Sequence, residues 1–113
     1  MTVTVTQTIV RPTLNVSFWP QYLSEYSSLT NEIHQEFSQN GLVNIKTNES
    51  DDDLTHTRIT TFANIDVYNT YNSRFNSATL SNNYPLLDYK SSISSQYYNE
   101  NNITQTVSKN LDT

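Results

Sequence analysis

The spacing of apolar residues changes repeatedly along the chain, and this changing spacing is the strongest constraint on its fold. From Thr2 to Val10 apolar side chains alternate with threonines, which is the pattern of a β-strand with one buried face. The next apolar residues recur at steps of three and four, as one side of a helix requires. This helical stripe comprises Tyr22, Tyr26, Leu29, Ile33 and Phe37. The chain is therefore expected to begin with a strand followed by a helix.

The rest of the chain continues with short strands and helices. Residues 42–47 and 54–62 are rich in β-branched side chains, and the short polar loop between them favours an antiparallel hairpin. Asn64 is a plausible N-cap for a second helix, and Pro85 suits the first turn of a third. The stripes of these helices are Tyr68, Tyr71, Phe75 and Ala78, then Leu86, Tyr89, Ile93 and Tyr97. Alternation from Ile103 to Val107 predicts a last strand.

This order predicts an α+β protein with the ferredoxin-like plan β-α-β-β-α-(α)-β. In that plan four strands form an antiparallel sheet, the first and third strands pair at its centre, and the helices cover one face. Residues 1–108 are expected to form one domain, because 113 residues leave no room for a second. Residues 109–113 are predicted to be a loose C-terminal tail.

The composition excludes several classes of functional site. Cysteine is absent, so the chain has no disulfides and no thiolate metal sites. Gly41 is the only glycine, which excludes the phosphate-binding loops of nucleotide-binding proteins. Gly41 is expected to end the first helix, while asparagine serves the other left-handed turns. No catalytic motif, metal site or cofactor site is apparent in the sequence, which favours a protein that is not an enzyme.

The charge and hydropathy of the chain bear on its partners. A net charge of −5 argues against nucleic acid as a partner. No segment approaches the length of a membrane span, and the N-terminus does not resemble a secretion signal. A cytoplasmic protein without a membrane partner is therefore expected.

One face of the predicted sheet carries the candidate binding residues. Placing the apolar side chains of each strand towards the helices leaves an open face of mainly threonines. That assignment puts Ile59 on the helix side and His56, Arg58, Thr60 and Phe62 on the open face, together with Lys46. His56 and Arg58, with Lys46 and Thr60, are the candidates for binding an anionic ligand there. The alternative is a solvated sheet face whose charged residues only maintain solubility.

Other candidate residues indicate less specific chemistry. Residues 51–53 are three aspartates beside Glu49, but the loop lacks the ligand spacing of a calcium site and is expected to be a solvated hairpin. His34 follows the stripe residue Ile33, so it is expected at the surface, on the rim of the buried side of the helix.

Residues 57–64, Thr-Arg-Ile-Thr-Thr-Phe-Ala-Asn, and the following 67–71, Val-Tyr-Asn-Thr-Tyr, resemble a known family. They are similar to the third strand and second helix of the dimeric α/β-barrel proteins, which include the antibiotic-biosynthesis monooxygenase-like group. Members of this family often dimerise sheet against sheet around a chamber. Trp19 and His34 do not match the catalytic positions of the haem-degrading branch, so the resemblance implies no catalytic residue.

Two functional hypotheses follow from the sequence. Asn, Ser, Thr and Gln account for 51 of 113 residues, and this texture resembles that of small marine tailed-phage proteins. The first hypothesis is a non-enzymatic structural or interaction protein, phage-encoded, acting as a homodimer or with another protein in the host cytoplasm or virion. The alternative is a small ligand-binding protein or a cofactor-independent monooxygenase-like enzyme of the dimeric α/β-barrel kind.

Overall fold

The computed structural model describes residues 1–111 and has the predicted order of elements. The strands are β1 (Val3–Val10), β2 (Leu42–Glu49), β3 (Thr55–Phe62) and β4 (Thr104–Leu111). The helices are α1 (Ser24–Ser38), α2 (Ile65–Ser77) and α3 (Leu86–Asn101). The four strands form one antiparallel sheet in the order β2-β3-β1-β4. The ferredoxin-like plan, with β1 and β3 at the centre, is therefore confirmed.

Local sequence signals explain where the helices begin and end. The side chain of Asn64 accepts a hydrogen bond from the backbone N–H of Val67 at 2.9 Å and so caps α2, as predicted. Gly41 follows α1 with a φ of 108°, and a side chain there would collide with Val67. Asn83 and Asn102 adopt left-handed backbone conformations, as expected in a chain with a single glycine.

The core lies between the helices and one face of the sheet. Val3 and Phe62, which are partners across β1 and β3, are almost completely buried there with Ile33 of α1 and Leu86 of α3. A second, smaller cluster unites Ile9, Phe18 and Ile103 at the other end of the strands. The helices thus cover one face of the sheet.

Two features of the strands differ from the sequence-based expectation. Strand β4 continues through Lys109 to Leu111, while Asp112 and Thr113 lie outside the described residues. In β2, a bulge between Leu42 and Asn44 shifts the register. Val43 lies at this bulge and is exposed, although it was expected to face the helices.

Within residues 1–111, no helix combines the length and apolar character that crossing a membrane requires.

Candidate functional site

The register of the sheet places Arg58 towards the helices, not on the open face. Its partner in β1 is Gln7, which lies in the same alternating set as Val3, Val5 and Ile9. The predicted orientation of β3 was therefore wrong for the following residues: His56, Arg58, Ile59, Thr60 and Phe62. Because Phe62 and Ile59 are three positions apart, only one can face the helices, and burial of the larger Phe62 decides the orientation.

A cavity of about 590 Å³ lies between this part of the sheet and the helices. Much of its wall is aromatic, and its lining includes Trp19, Tyr22, Tyr26, Tyr71, Phe75 and Tyr98. A smaller cavity of about 280 Å³ has several of the same wall residues, including Arg58, Tyr71 and Lys90. Arg58 and Thr60 are therefore cavity residues. No aspartate or glutamate among residues 1–111 lines either cavity.

His34 connects Tyr71 and Arg58 inside the larger cavity. Its Nε2 lies 2.8 Å from the Tyr71 hydroxyl, and its Nδ1 lies 3.5 Å from a guanidinium nitrogen of Arg58. An arginine can only donate, so Nδ1 accepts and a neutral His34 carries its proton on Nε2. Nε2–H then donates to the Tyr71 oxygen, and the Tyr71 hydroxyl proton remains free to donate to a ligand. His34 is half-buried, so it lies at the rim of the buried side of α1 as expected, but its ring lines the cavity.

The cavity electrostatics favour negative charge. Desolvation lowers the pKa of His34, and the positive charges of Arg58 and Lys90 lower it further. Desolvation also lowers the pKa of Lys90, again with a contribution from Arg58. Lys90 is an exposed residue overall, yet its side chain lines both cavities, where Arg58 is its charged neighbour. Within residues 1–111, neither Arg58 nor Lys90 forms an ion pair with a carboxylate.

Buried tyrosine hydroxyls add neutral hydrogen-bonding groups to the wall. Desolvation raises the pKa of Tyr71, partly opposed by Arg58, and it also raises the pKa of Tyr26. Burial raises the pKa of Tyr98 to about 12. These hydroxyls therefore stay protonated near neutral pH and can donate hydrogen bonds.

His56 faces the helix side but occupies a separate place. Its Nδ1 lies 2.7 Å from a Glu49 carboxylate oxygen, and its ring contacts Phe18 and Trp19 at centroid distances of 5.6 and 5.4 Å. It is thus covered by the segment before α1. Lys46 pairs with Ile59, and both lie on the face opposite Arg58. The four predicted binding residues therefore separate. Arg58 lines both cavities and Thr60 lines the smaller one, whereas His56 lies beside them and Lys46 lies on the other face.

Sequence reasoning missed Gln7, Tyr71 and Lys90 as site residues, although two of them carried a signal. Gln7 interrupts an otherwise apolar alternation in β1. Lys90 lies four residues after the buried Leu86 and three before Ile93, on the apolar stripe of α3. A polar residue in an apolar pattern indicates either an error in the pattern or a site in the interior. Across the described part of the chain, no group of three or more His, Cys, Asp or Glu side chains could hold a metal ion.

Comparisons with known proteins agree on the fold. No protein family matches the sequence, and no curated protein matches it. A variant of SnoaB, a cofactor-independent oxygenase from Streptomyces nogalater, matches the structure with a TM-score of 0.51 and 13% identity. The match covers 98% of this chain and 92% of that chain.

Two other solved structures have the same overall plan at lower similarity. An antibiotic-biosynthesis-monooxygenase-like protein from Deinococcus radiodurans has a TM-score of 0.47 and 9% identity, covering 97% of this chain and 92% of its own. A dimeric ferredoxin-like protein from an uncultured marine organism has a TM-score of 0.45 and 6% identity, covering 100% and 91%. The ferredoxin-like fold itself follows from the element order and the strand order of this chain, and its structural neighbours include monooxygenase-like proteins and a dimeric one.

Proposed function

We propose that this protein binds a small aromatic molecule with an acidic group in the cavity between its helices and sheet. One observation carries the proposal: Arg58 and Lys90 both line an aromatic cavity to which residues 1–111 contribute no carboxylate. Each cation lowers the pKa of His34, which means that positive charge is concentrated there. An anionic ligand would relieve this repulsion and accept hydrogen bonds from the Arg58 guanidinium group.

The size and wall of the cavity suit such a ligand. A volume of about 590 Å³ falls in the usual range of roughly 300–1,000 Å³ for small-molecule sites. Aromatic side chains offer a planar ligand stacking and edge contacts. Gln7 and Asn72 add amide groups to the wall, and Tyr71 adds a hydroxyl donor. The ligand expected from these groups is planar, mainly apolar and singly or doubly charged.

The experiment is calorimetric titration with 2-naphthoate. Replacing Arg58 by Gln removes the charged donors, so affinity should fall by roughly ten- to a hundredfold. Arg74→Gln is the matched control, because Arg74 pairs with Glu36 through a 3.0 Å contact and does not line the cavity. The uncharged 2-naphthamide should bind wild type and Arg58→Gln almost equally. No detectable binding of 2-naphthoate, or equal losses in both arginine variants, would refute the proposal.

The other sequence-based hypotheses bear differently on this site. A cofactor-independent monooxygenase-like enzyme would share the binding step, because its substrate would first have to enter a cavity of this kind. The non-enzymatic structural role, a separate protein partner and a phage origin stay predictions. Occupancy of the cavity by a ligand would favour the alternative function over the structural one.

We also propose that the chain forms a homodimer. The sheet face opposite the helices carries Thr6, Thr8 and Ile59 at its centre, and none of the three helices covers it. Phe62 and Leu42 were expected to add apolar surface to this face, but that expectation was wrong, because both are buried on the helix side. A two-fold contact through the open face or the exposed edges would cover its surface. Sedimentation should give a dimer at micromolar concentration, and a 13.0 kDa species throughout that range would contradict the proposal.

A further inference from the structure

Lys90 differs from the other two lysines of the chain in its surroundings. Lys46 lies on the open face of the sheet, and the ammonium group of Lys109 lies 5.0 Å from the centre of the Tyr68 ring. Lys90 lines both cavities, together with Arg58 and Tyr71. It is therefore the lysine whose amine can meet a molecule bound between the helices and the sheet.

The cavity also makes this amine a better nucleophile. Burial and the neighbouring Arg58 lower the pKa of Lys90, so more of it is unprotonated at neutral pH. Only the unprotonated amine has the lone pair that attacks a carbonyl carbon. In the described part of the chain, no carboxylate in the cavity wall opposes this shift by stabilising the ammonium form. A desolvated lysine beside another cation is one of the recognised ways to activate an amine.

We propose that Lys90 forms an imine with the carbonyl group of an aldehyde or ketone bound in the cavity. The proposal rests on the ligand-binding function above and adds a carbonyl group to the ligand. The Lys90 Nζ lone pair attacks the carbonyl carbon, and the π electrons of the C=O bond move to oxygen. A proton passes from nitrogen to that oxygen to give a carbinolamine. The nitrogen lone pair then forms the carbon–nitrogen double bond as the C–O bond breaks, and the departing hydroxyl group takes up a proton and leaves as water while nitrogen gives up its remaining proton.

Two neighbours of Lys90 fit the needs of this reaction. The Tyr71 oxygen accepts from Nε2–H of His34, so its own proton is directed elsewhere and can donate to the developing oxyanion. Arg58 can hold an acidic group at another position of the same ligand. The expected substrate class is therefore an aromatic aldehyde or ketone that also carries a carboxylate.

The test uses 4-formylbenzoate as the probe and sodium cyanoborohydride to reduce any imine to a stable amine. Intact mass and peptide mapping then report which lysine is modified. We expect Lys90 to be labelled at least about tenfold faster than Lys46 or Lys109, which act as internal controls. Lys90→Arg keeps a positive charge in the cavity and should lose this rapid labelling while remaining folded. Equal labelling of the three lysines in wild type would overturn the proposal.

A second probe separates failure of the imine from failure of anion binding. Benzaldehyde lacks the carboxylate, so it should label Lys90 more slowly than 4-formylbenzoate, and Arg58→Gln should remove that difference. If benzaldehyde labels Lys90 as fast as 4-formylbenzoate, the imine stands and the anion site at Arg58 fails. If 4-formylbenzoate binds in an Arg58-dependent way without labelling Lys90, the imine is wrong and the binding function stands.

Discussion

Two cross-strand rows on the same face of the sheet differ sharply in what they do. The Val3 row contains Leu42, Phe62 and Val3, which are all buried, and it ends at the exposed Leu111. The Gln7 row contains Gln7, Arg58, Thr47 and Val107, and it lies beside the cavity. Both rows face the same helices. The helices close tightly on the sheet where the row is apolar, and they leave space where it is polar.

With the proposed ligand site, one end of the sheet would serve stability and the other would serve binding. Phe62 packs against Tyr68 and Tyr71, with ring centroids 5.4 and 4.9 Å apart, and it is almost completely buried. Among residues 1–111, Arg58 has no such packing partner, only the long contact to His34. A polar row costs folding energy, because its groups lose water without gaining full replacement. Such a row is retained where a ligand completes it.

The largest predicted effect comes from comparing the two rows in β3. Phe62→Ala should lower the free energy of unfolding by about 3–5 kcal/mol, because it leaves a cavity in the filled end. Arg58→Gln should change it by less than about 1 kcal/mol, because the arginine lacks an ion pair and faces another cation. Urea unfolding of both variants measures the difference. Similar losses would mean that the Gln7 row is as important to folding as the Val3 row.

The same rows show how far the sequence determined this fold. Periodicity was sufficient for all seven elements and for the central pairing of β1 with β3, because each element has its own apolar spacing in the sequence. It did not determine which side of β3 is buried. Residues 57–62 read Thr-Arg-Ile-Thr-Thr-Phe, with large apolar residues at both an even and an odd position. A choice of the wrong one inverts every side chain of the strand.

The site could not be predicted because it depends on contacts between distant elements. His34 of α1, Tyr71 of α2 and Arg58 of β3 meet only after both crossovers have placed the helices. The bulge in β2 is likewise invisible in the sequence, yet it lets Leu42 and Ile45, three positions apart, share the helix side. Local patterns therefore identified the elements, while the site needed the register and the packing.

The second prediction tests which face of the sheet points towards the helices, because both rows are defined by that assignment. Val5 faces the core and Ile59 lies on the opposite face, although both are β-branched and central in the sheet. Val5→Asp should cost about 2–3 kcal/mol by placing a charge against apolar side chains, and Ile59→Asp less than about 1 kcal/mol. Both should be unfolded in the same dilute solution, so that self-association does not contribute. A larger loss for Ile59→Asp would restore the opposite orientation of β3.

The smallest predicted effect is a pH dependence of the free energy of unfolding. It comes from His34 of α1, which contacts Arg58 of the Gln7 row. Its pKa in the folded protein lies below the ordinary value of 6.5, because burial, Arg58 and Lys90 disfavour its charge. The unfolded chain therefore binds this proton more readily, and stability falls as the pH drops below about 6.5. His34→Gln removes this contribution, so it should lose less stability than wild type between about pH 7.5 and about pH 5. Arg58→Gln should reduce the same loss in part, because it leaves burial but removes one of the two neighbouring positive charges. Urea unfolding at both pH values measures these differences. A steeper loss in His34→Gln than in wild type would show that the folded protein favours the charged imidazole, which would in turn place negative charge in the cavity.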